Sequence, residues 1–275
     1  MPISAFNVLK SVFIRPKRAV RNTLEISKFV LLIGALVWFL ARGTERLGYN
    51  WQWYRVLQYF CYFEGDKIVA GPLIMGLMVT FKITAVSLLL SFSFGLIAAL
   101  FRLSNSFMAR ALARGYIEMI RNTPLLVQLF FIYFVLGPIL DIDRFTAAVL
   151  ALSLFEGAYA SEIFRAGIVS IPTGQWEAAF SIGLGRYLTY RHIVLPQAIR
   201  WVLPPLTGQA ISLIKDSALV STIAVYDLTM RGQAIIAETF LTFEIWFTVA
   251  AVYLLITTSL SLAVNIMENR LKLNH

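Results

Sequence analysis

Glu156, Glu162, Lys215 and Asp216 are ionisable side chains set inside long apolar stretches of this sequence. Charge is expensive in an apolar medium unless it is paired or used, so each marks a candidate site. Glu156 and Glu162 are six residues apart, about 600° around a helix, and face different directions. Arg165 follows Glu162 at i+3, so an intrahelical ion pair is expected there, serving either structure or gating. Glu156 could face a solute path and bind an α-amino or cationic side-chain group, or pair with an Arg or Lys of a neighbouring helix. Lys215 and Asp216 are adjacent and point about 100° apart, so each needs its own partner and either could line a path.

Other chemistry is missing. No G-x-x-x-x-G-K-[ST] run occurs, nor any Gly-Lys pair, so nothing here could cradle nucleotide phosphates in the P-loop manner. Gly183-Leu184-Gly185 is a lone G-x-G and a weak signal. The two histidines, His192 and His275, are too few for a metal site or a histidine relay, and the single cysteine, Cys61, excludes an intramolecular disulfide. No catalytic residues and no metal ligands are expected, and any energy source must come from a partner.

The elements that position these charges follow from composition. The chain has 275 residues, 59% hydrophobic and 14% charged, with a mean hydropathy of +0.73. A soluble domain carries about 25% charged residues, and a helical span needs about 20 apolar ones. An all-α, polytopic transmembrane bundle of about six spans is expected, at about 29–40, 76–101, 125–140, 145–168, 202–224 and 243–266. Pro124 places Thr123 at a bend before the third span, and Pro204 and Pro205 should disturb the first turns of the fifth. Residues 1–28 are basic and lack the compact apolar core of a cleavable signal, so the first apolar run is expected to be retained. Residues 42–68 interleave charges with Trp51, Trp53, Tyr54, Tyr59 and Tyr62, which suits an amphipathic element at the outer interface.

Lys and Arg cluster before Phe29, between Arg102 and Arg121, between 170 and 200, and after 266. The positive-inside bias therefore puts those segments and both termini in the cytoplasm. The net charge of +9 reflects this bias and not a nucleic-acid partner. Within the 170–200 loop, Ile171-Pro172-Thr173-Gly174 reads as a turn, with Thr173 as N-cap of a helix from about Gln175. Glu177 falls in its first turn and complements the helix dipole. Trp176, Phe180, Leu184, Tyr187 and Leu188 recur at helical spacing as an apolar face. Ala178 and Ala179 offer small surfaces, Gly183 and Gly185 permit a bend, and Pro196 is expected to end the element. By itself this describes a helix lying on the membrane surface. A stand-alone transporter or channel and a membrane scaffold both remain open.

The same loop, EAAFSIGLGRYLTYRHIVLP, resembles the EAA signature of the membrane subunits of bacterial ABC importers. It matches at Glu177, Ala178, Ala179, Gly183, Ile193, Leu195 and Pro196. YIEMIRNTPLLVQLFFIYF (116–134), AYASEIFRAGI (158–168) and LIKDSALVSTIAVYDL (213–228) look like further elements of the polar amino acid permeases. The resemblance covers about residues 70–268. It implies a type I importer-like permease domain at 69–275, preceded by a basic arm, an extra span and an interfacial segment at 1–68. It implies a multi-pass subunit of the bacterial cytoplasmic (inner) membrane that forms the path of an ATP-driven importer of polar amino acids. Its partners would be a cytoplasmic ATPase dimer, a second permease (identical or homologous) and a periplasmic amino acid-binding protein. It implies no cofactor for this chain, since ATP and magnesium would bind the ATPase. The loop would form coupling helices seated on that ATPase. Glu162 falls on a glutamate of the family pattern, whereas Glu156 departs from the small uncharged residue expected there.

Overall fold

A computed structural model describes residues 15–46 and 48–272. Lys10 of the basic arm, the side chains of Arg15, Lys17, Arg18 and Arg21, and the C-terminal His275 lie outside the described residues. The chain divides into two compact units, Met1–Trp51 and Gln52–His275. The first holds α1 (Arg15–Arg46), whose outward side chains from Phe29 to Phe39 are exposed apolar groups.

The second unit opens with 3₁₀ turns at Trp53–Arg55 and Leu57–Tyr59 and a hairpin of β1 (Cys61–Glu64) and β2 (Lys67–Ala70). The aromatic segment expected to be an amphipathic element thus takes the form of short turns and a hairpin. Glu64 pairs with Lys67 across a two-residue loop whose Gly65 has φ 64°, the backbone that such tight hairpins demand. The segment is anchored where the Gln52 amide donates to Glu244 Oε1 at 2.7 Å.

The helices then follow in order. They are α2 (Pro72–Leu103), α3 (Phe107–Arg121), α4 (Leu125–Leu140, with a π turn at Phe131–Leu136), α5 (Arg144–Val169) and α6 (Thr173–Ser181). A single turn at Arg186–Thr189 and a π turn at Tyr190–Val194 lead into α7 (Leu195–Asp216). After a 3₁₀ stretch at Ser217–Ile223 come α8 (Leu228–Thr239) and α9 (Thr242–Lys272). Among the described residues, 25–43, α2, α5 and 242–266 are long and apolar enough to cross a membrane. α3 and α4, bent by 106° at Asn122-Thr123-Pro124, make a fifth span if counted together. α7 falls short because Arg200, Lys215, Asp216 and its prolines dilute its hydropathy.

Why α2 and α5 pack closely is written in their small residues. Gly76, Thr80, Thr84, Ser87, Ser91, Gly95 and Ala98 form a buried stripe along α2. Without small side chains there, apolar helices in lipid gain little by association, since the tails are as apolar as leucine. Ser87 Oγ donates to Val149 O (3.5 Å) and Ser153 Oγ to Ser87 O (3.4 Å), and Gly95, further along α2, meets Gly157 and Ala160, further along α5, so the two helices run in the same direction. A Cβ on Gly95 would lie 2.8 Å from Ala160 Cβ and 3.0 Å from Gly157 O. Leu129, Leu152, Leu213, Val220 and Ile223 bring α4, α5, α7 and the 3₁₀ stretch onto Ile83 of α2. Leu73, Leu228, Ile235, Leu241 and Ile245 form a second cluster with α8 and α9.

Two breaks are fixed by side chains. Gln128 Nε2 donates to Ile120 O (2.8 Å), Thr123 O (3.0 Å) and Thr123 Oγ1 (2.8 Å), which fastens the α3–α4 bend. Asp143 caps α5 by accepting from the Phe145 amide at 3.0 Å. The Thr146 hydroxyl and the first amides of the helix hold its carboxyl below the usual carboxylate range.

Gly95→Leu should lower the thermal midpoint of the purified, detergent-solubilised protein, because overpacking costs about 1–3 kcal/mol or more. Gly115→Ala, whose Cβ would meet nothing within 4 Å, should leave the midpoint unchanged or raise it. Equal midpoints for Gly95→Leu and the parent would refute the packing argument.

Candidate functional site

The polar loop between α5 and α7 is a short helix, a glycine turn and a continuous run into α7. α6 starts at Thr173, two residues earlier than expected. Pro172 and not Thr173 stands at the N-cap, and no side chain caps the helix. Proline has no N–H to lose there, and the Gln175 amide donates to Pro172 O at 3.0 Å. α6 ends in a Schellman motif: the Gly183 amide donates to Phe180 O (3.0 Å) and Leu184 to Ala179 O (3.1 Å). Gly183 sits at φ 83°, a left-handed backbone that other residues reach only with strain.

Pro196 does not end the element. The helix passes from Arg186 through the π turn into α7, with Pro196 in its first turn. The wider π spacing just before it relieves the demand that a proline makes on the preceding turn. Pro204 and Pro205 likewise lie inside unbroken α7.

Burial divides the loop residues into two sets. Ala179 is 1% exposed, and Trp176 packs on Tyr190 (ring centroids 5.0 Å) beside Ile168, Ile171, Val194 and Ala198. These hold the loop on the bundle. Glu177, Ala178, Gly183 and Pro196 are exposed, Ile193 is half-buried, and Leu195 is 42% exposed. The helical spacing predicts one apolar face, but Trp176 and Leu184 turn toward the bundle whereas Phe180, Tyr187 and Leu188 do not. With Ile182, 76% exposed, those three are large apolar side chains left uncovered in the loop that carries Glu177.

The charged residues fall into two groups. Glu162 takes the expected pair from Arg165 (Nη2 to Oε2, 3.1 Å). It also meets Arg102, sixty residues earlier at the end of α2. The Arg102 contact was not foreseen; its only trace in the sequence is a lone arginine in the last turn of an apolar run. Arg114, Glu118 and Arg121 join Arg102 and Glu162 around a recess of about 420 Å³, and Arg121 lies over the Tyr159 ring at 5.2 Å. Glu156 is 3% exposed, and no Arg or Lys pairs with it among the described residues. Its carboxyl is in hydrogen-bonding contact with that of Asp216 at the end of α7. Lys215 is exposed. The structure thus joins Glu156 to Asp216 and leaves Glu162 in a separate cluster near the loop.

Residues 91–273 match the family described as binding-protein-dependent transport system inner membrane component. The glutamine transport system permease protein GlnP of Escherichia coli (strain K12) is 43% identical over 204 residues, covering 73% of this chain and 93% of that protein. The L-cystine transport system permease protein TcyB of Bacillus subtilis (strain 168) is 41% identical over 198 residues, covering 71% and 85%. A chain of the crystal structure of an amino acid ABC transporter with histidines superposes with a TM-score of 0.68 at 38% identity, over 72% of this chain and 94% of that one.

The Arg102–Glu162 contact ties α2 to α5 where the loop begins. In a double-mutant cycle of Arg102→Ala and Glu162→Gln, thermal unfolding should show a coupling of about 0.5–3 kcal/mol. Additive effects would mean that the two groups do not support each other.

Proposed function

Because the chain belongs to the family of binding-protein-dependent transport system inner membrane components, a permease subunit of an ABC importer, we propose that its cargo is a polar amino acid and that it docks its ATPase through α6 and the turns after it. The protein is a multi-pass membrane helical bundle of the type I importer fold, and it performs no catalysis of its own. Its family implies a partner ATPase and a substrate-binding protein.

The observation that carries the docking reading is the uncovered apolar surface of Phe180, Ile182, Tyr187 and Leu188 in the loop that carries Glu177. A soluble surface rarely exposes so many large apolar groups together without a partner. The sequence places this surface in the cytoplasm, where the ATPase works. Glu177, Ala178 and Gly183 lie on the docking side. Ala179 fits against the bundle, and Ile193, Leu195 and Pro196 carry the docked surface into α7. ATP and magnesium bind the ATPase dimer, whose closure moves α6 and rocks the bundle between inward- and outward-open states. A second permease, identical or homologous, completes the path in the bacterial inner membrane. The amino acid cargo rests on the glutamine and cystine permeases among the relatives.

Glu177→Lys should abolish co-purification of the ATPase and ATP-driven uptake while membrane insertion persists. Gly183→Ala, strained by about 1–2 kcal/mol, should weaken the association by about tenfold, and Gly185→Ala should not. Unchanged uptake by Glu177→Lys would remove this surface from coupling.

A further inference from the structure

α3 presents three different faces. Ala113 and Ile117 are buried against the bundle. Met108, Leu112 and Met119, one strip at helical spacing, are 64%, 61% and 68% exposed. Arg114, Glu118 and Arg121 form a third strip, about 130° around the helix from the second at 100° per residue. A helix so divided lies along an interface, its apolar strip toward the acyl chains and its charged strip toward the head groups. The chain turns by 106° at Asn122-Thr123-Pro124, so α3 runs across α4 and not in line with it. The depth agrees. Glu162, which faces the charged strip, stands about 27 Å along α5 from Arg144 at 1.5 Å per residue. That is the inner edge of a hydrocarbon core of about 30 Å.

The recess of about 420 Å³ beside this strip is lined by Arg102, Arg114, Ile117, Glu118, Arg121 and Glu162. Glu162 is held by Arg102 and Arg165. Arg114 and Arg121 are exposed and form no ion pair among the described residues, and Arg121 rests on the Tyr159 ring. Against Glu118, these two guanidiniums leave one positive charge, the complement of a singly charged anion. A guanidinium offers a planar fork of N–H donors that matches phosphate oxygens. Basic pockets between helices on the cytoplasmic side take anionic lipid head groups.

We propose that the recess between α2, α3 and α5 binds the phosphodiester of an anionic glycerophospholipid of the cytoplasmic leaflet. Arg114 and Arg121 donate to the phosphate oxygens, and the paired Arg102 and Glu162 form the wall behind it. Glu118 sets the charge of the ligand, since it opposes a doubly charged phosphate more than a phosphodiester. The exposed apolar strip of the same helix favours a lipid over soluble phosphate, because it places the recess at the membrane surface. A lipid held there touches three helices at once and braces the α3–α4 bend against the bundle.

The test uses the full chain purified in detergent and titrated with phosphatidylglycerol, phosphatidylcholine or inorganic phosphate. Native mass spectrometry counts the bound molecules. Phosphatidylglycerol should bind at least about tenfold more tightly than phosphatidylcholine, whose head group has no net charge. Inorganic phosphate at the same concentration should not displace it. Arg114→Gln and Arg121→Gln should each weaken the phosphatidylglycerol adduct by about tenfold, the scale of one lost charge-assisted contact. Arg200→Gln, at another exposed arginine, should leave it unchanged, and Glu118→Gln should tighten it. Thermal midpoints measured without added lipid verify that each variant is folded. Equal binding of the two lipids, or unaltered binding in folded Arg114→Gln and Arg121→Gln, would overturn the site. An equal loss in Arg200→Gln would replace it with diffuse attraction to anionic lipid, and displacement by inorganic phosphate would make it a soluble-anion site. Failure of Glu118→Gln to tighten binding overturns it independently of the arginine variants.

Discussion

The close parallel contact of α2 and α5 sets the geometry of the rest of the bundle. Gly95 against Ala160 and Gly157, and Ser87 against Val149 and Ser153, bring two backbones near enough for serine hydroxyls to reach across. Hydrophobic burial cannot drive this in lipid, so packing and short polar contacts must. Because the two helices are locked together, Arg102 at the end of one comes beside Glu162 on the other. α7 packs beside this seam, with Val202 and Leu206 against Ala160, and there Glu156 meets Asp216. Both charged groups are consequences of one small-residue seam.

Much of this is legible in the sequence, and the long-range contacts that are not share a cause. The bend at Thr123 follows from Pro124 alone, and the limits of α2 and α5 from apolar run length. The i+3 pair of Glu162 and Arg165 is a local rule, and it held. Arg102–Glu162 and Glu156–Asp216 join residues about sixty apart, and no local spacing encodes them. The second is a pairing of like charges, which complementarity steers away from: the sequence offers Glu156 a solute path or a basic partner, and no Arg or Lys pairs with it among the described residues. Pro196 misled for another reason, since a proline stops a regular α-turn but a π turn just ahead of it lets the helix continue. The hairpin at 61–70 had its signal in Gly65-Asp66, masked by the aromatic residues around it.

The loop between α5 and α7 has two faces with different tasks. Ala179 and Trp176 are inward-facing and small or flat enough to seat the loop firmly, whereas Phe180, Ile182, Tyr187 and Leu188 are left uncovered. Gly183 turns the chain between them without side-chain contact, since a Cβ there would meet nothing within 4 Å. Its value is conformational. A loop built this way is fixed to the bundle by one side and uncovered on the other.

The unbroken helical run from Arg186 to Asp216 has a mechanical consequence. At 1.5 Å per residue it is a rod of about 45 Å, longer than the hydrocarbon core, with the loop surface at one end and the acidic pair at the other. A tilt imposed at the first end is delivered to Asp216 by the stiffness of the backbone, with no chain of side-chain rearrangements between. Its compliant points are the π turn near the driven end and Pro204-Pro205 just past the middle, so only the segment beyond Pro205 moves as one piece.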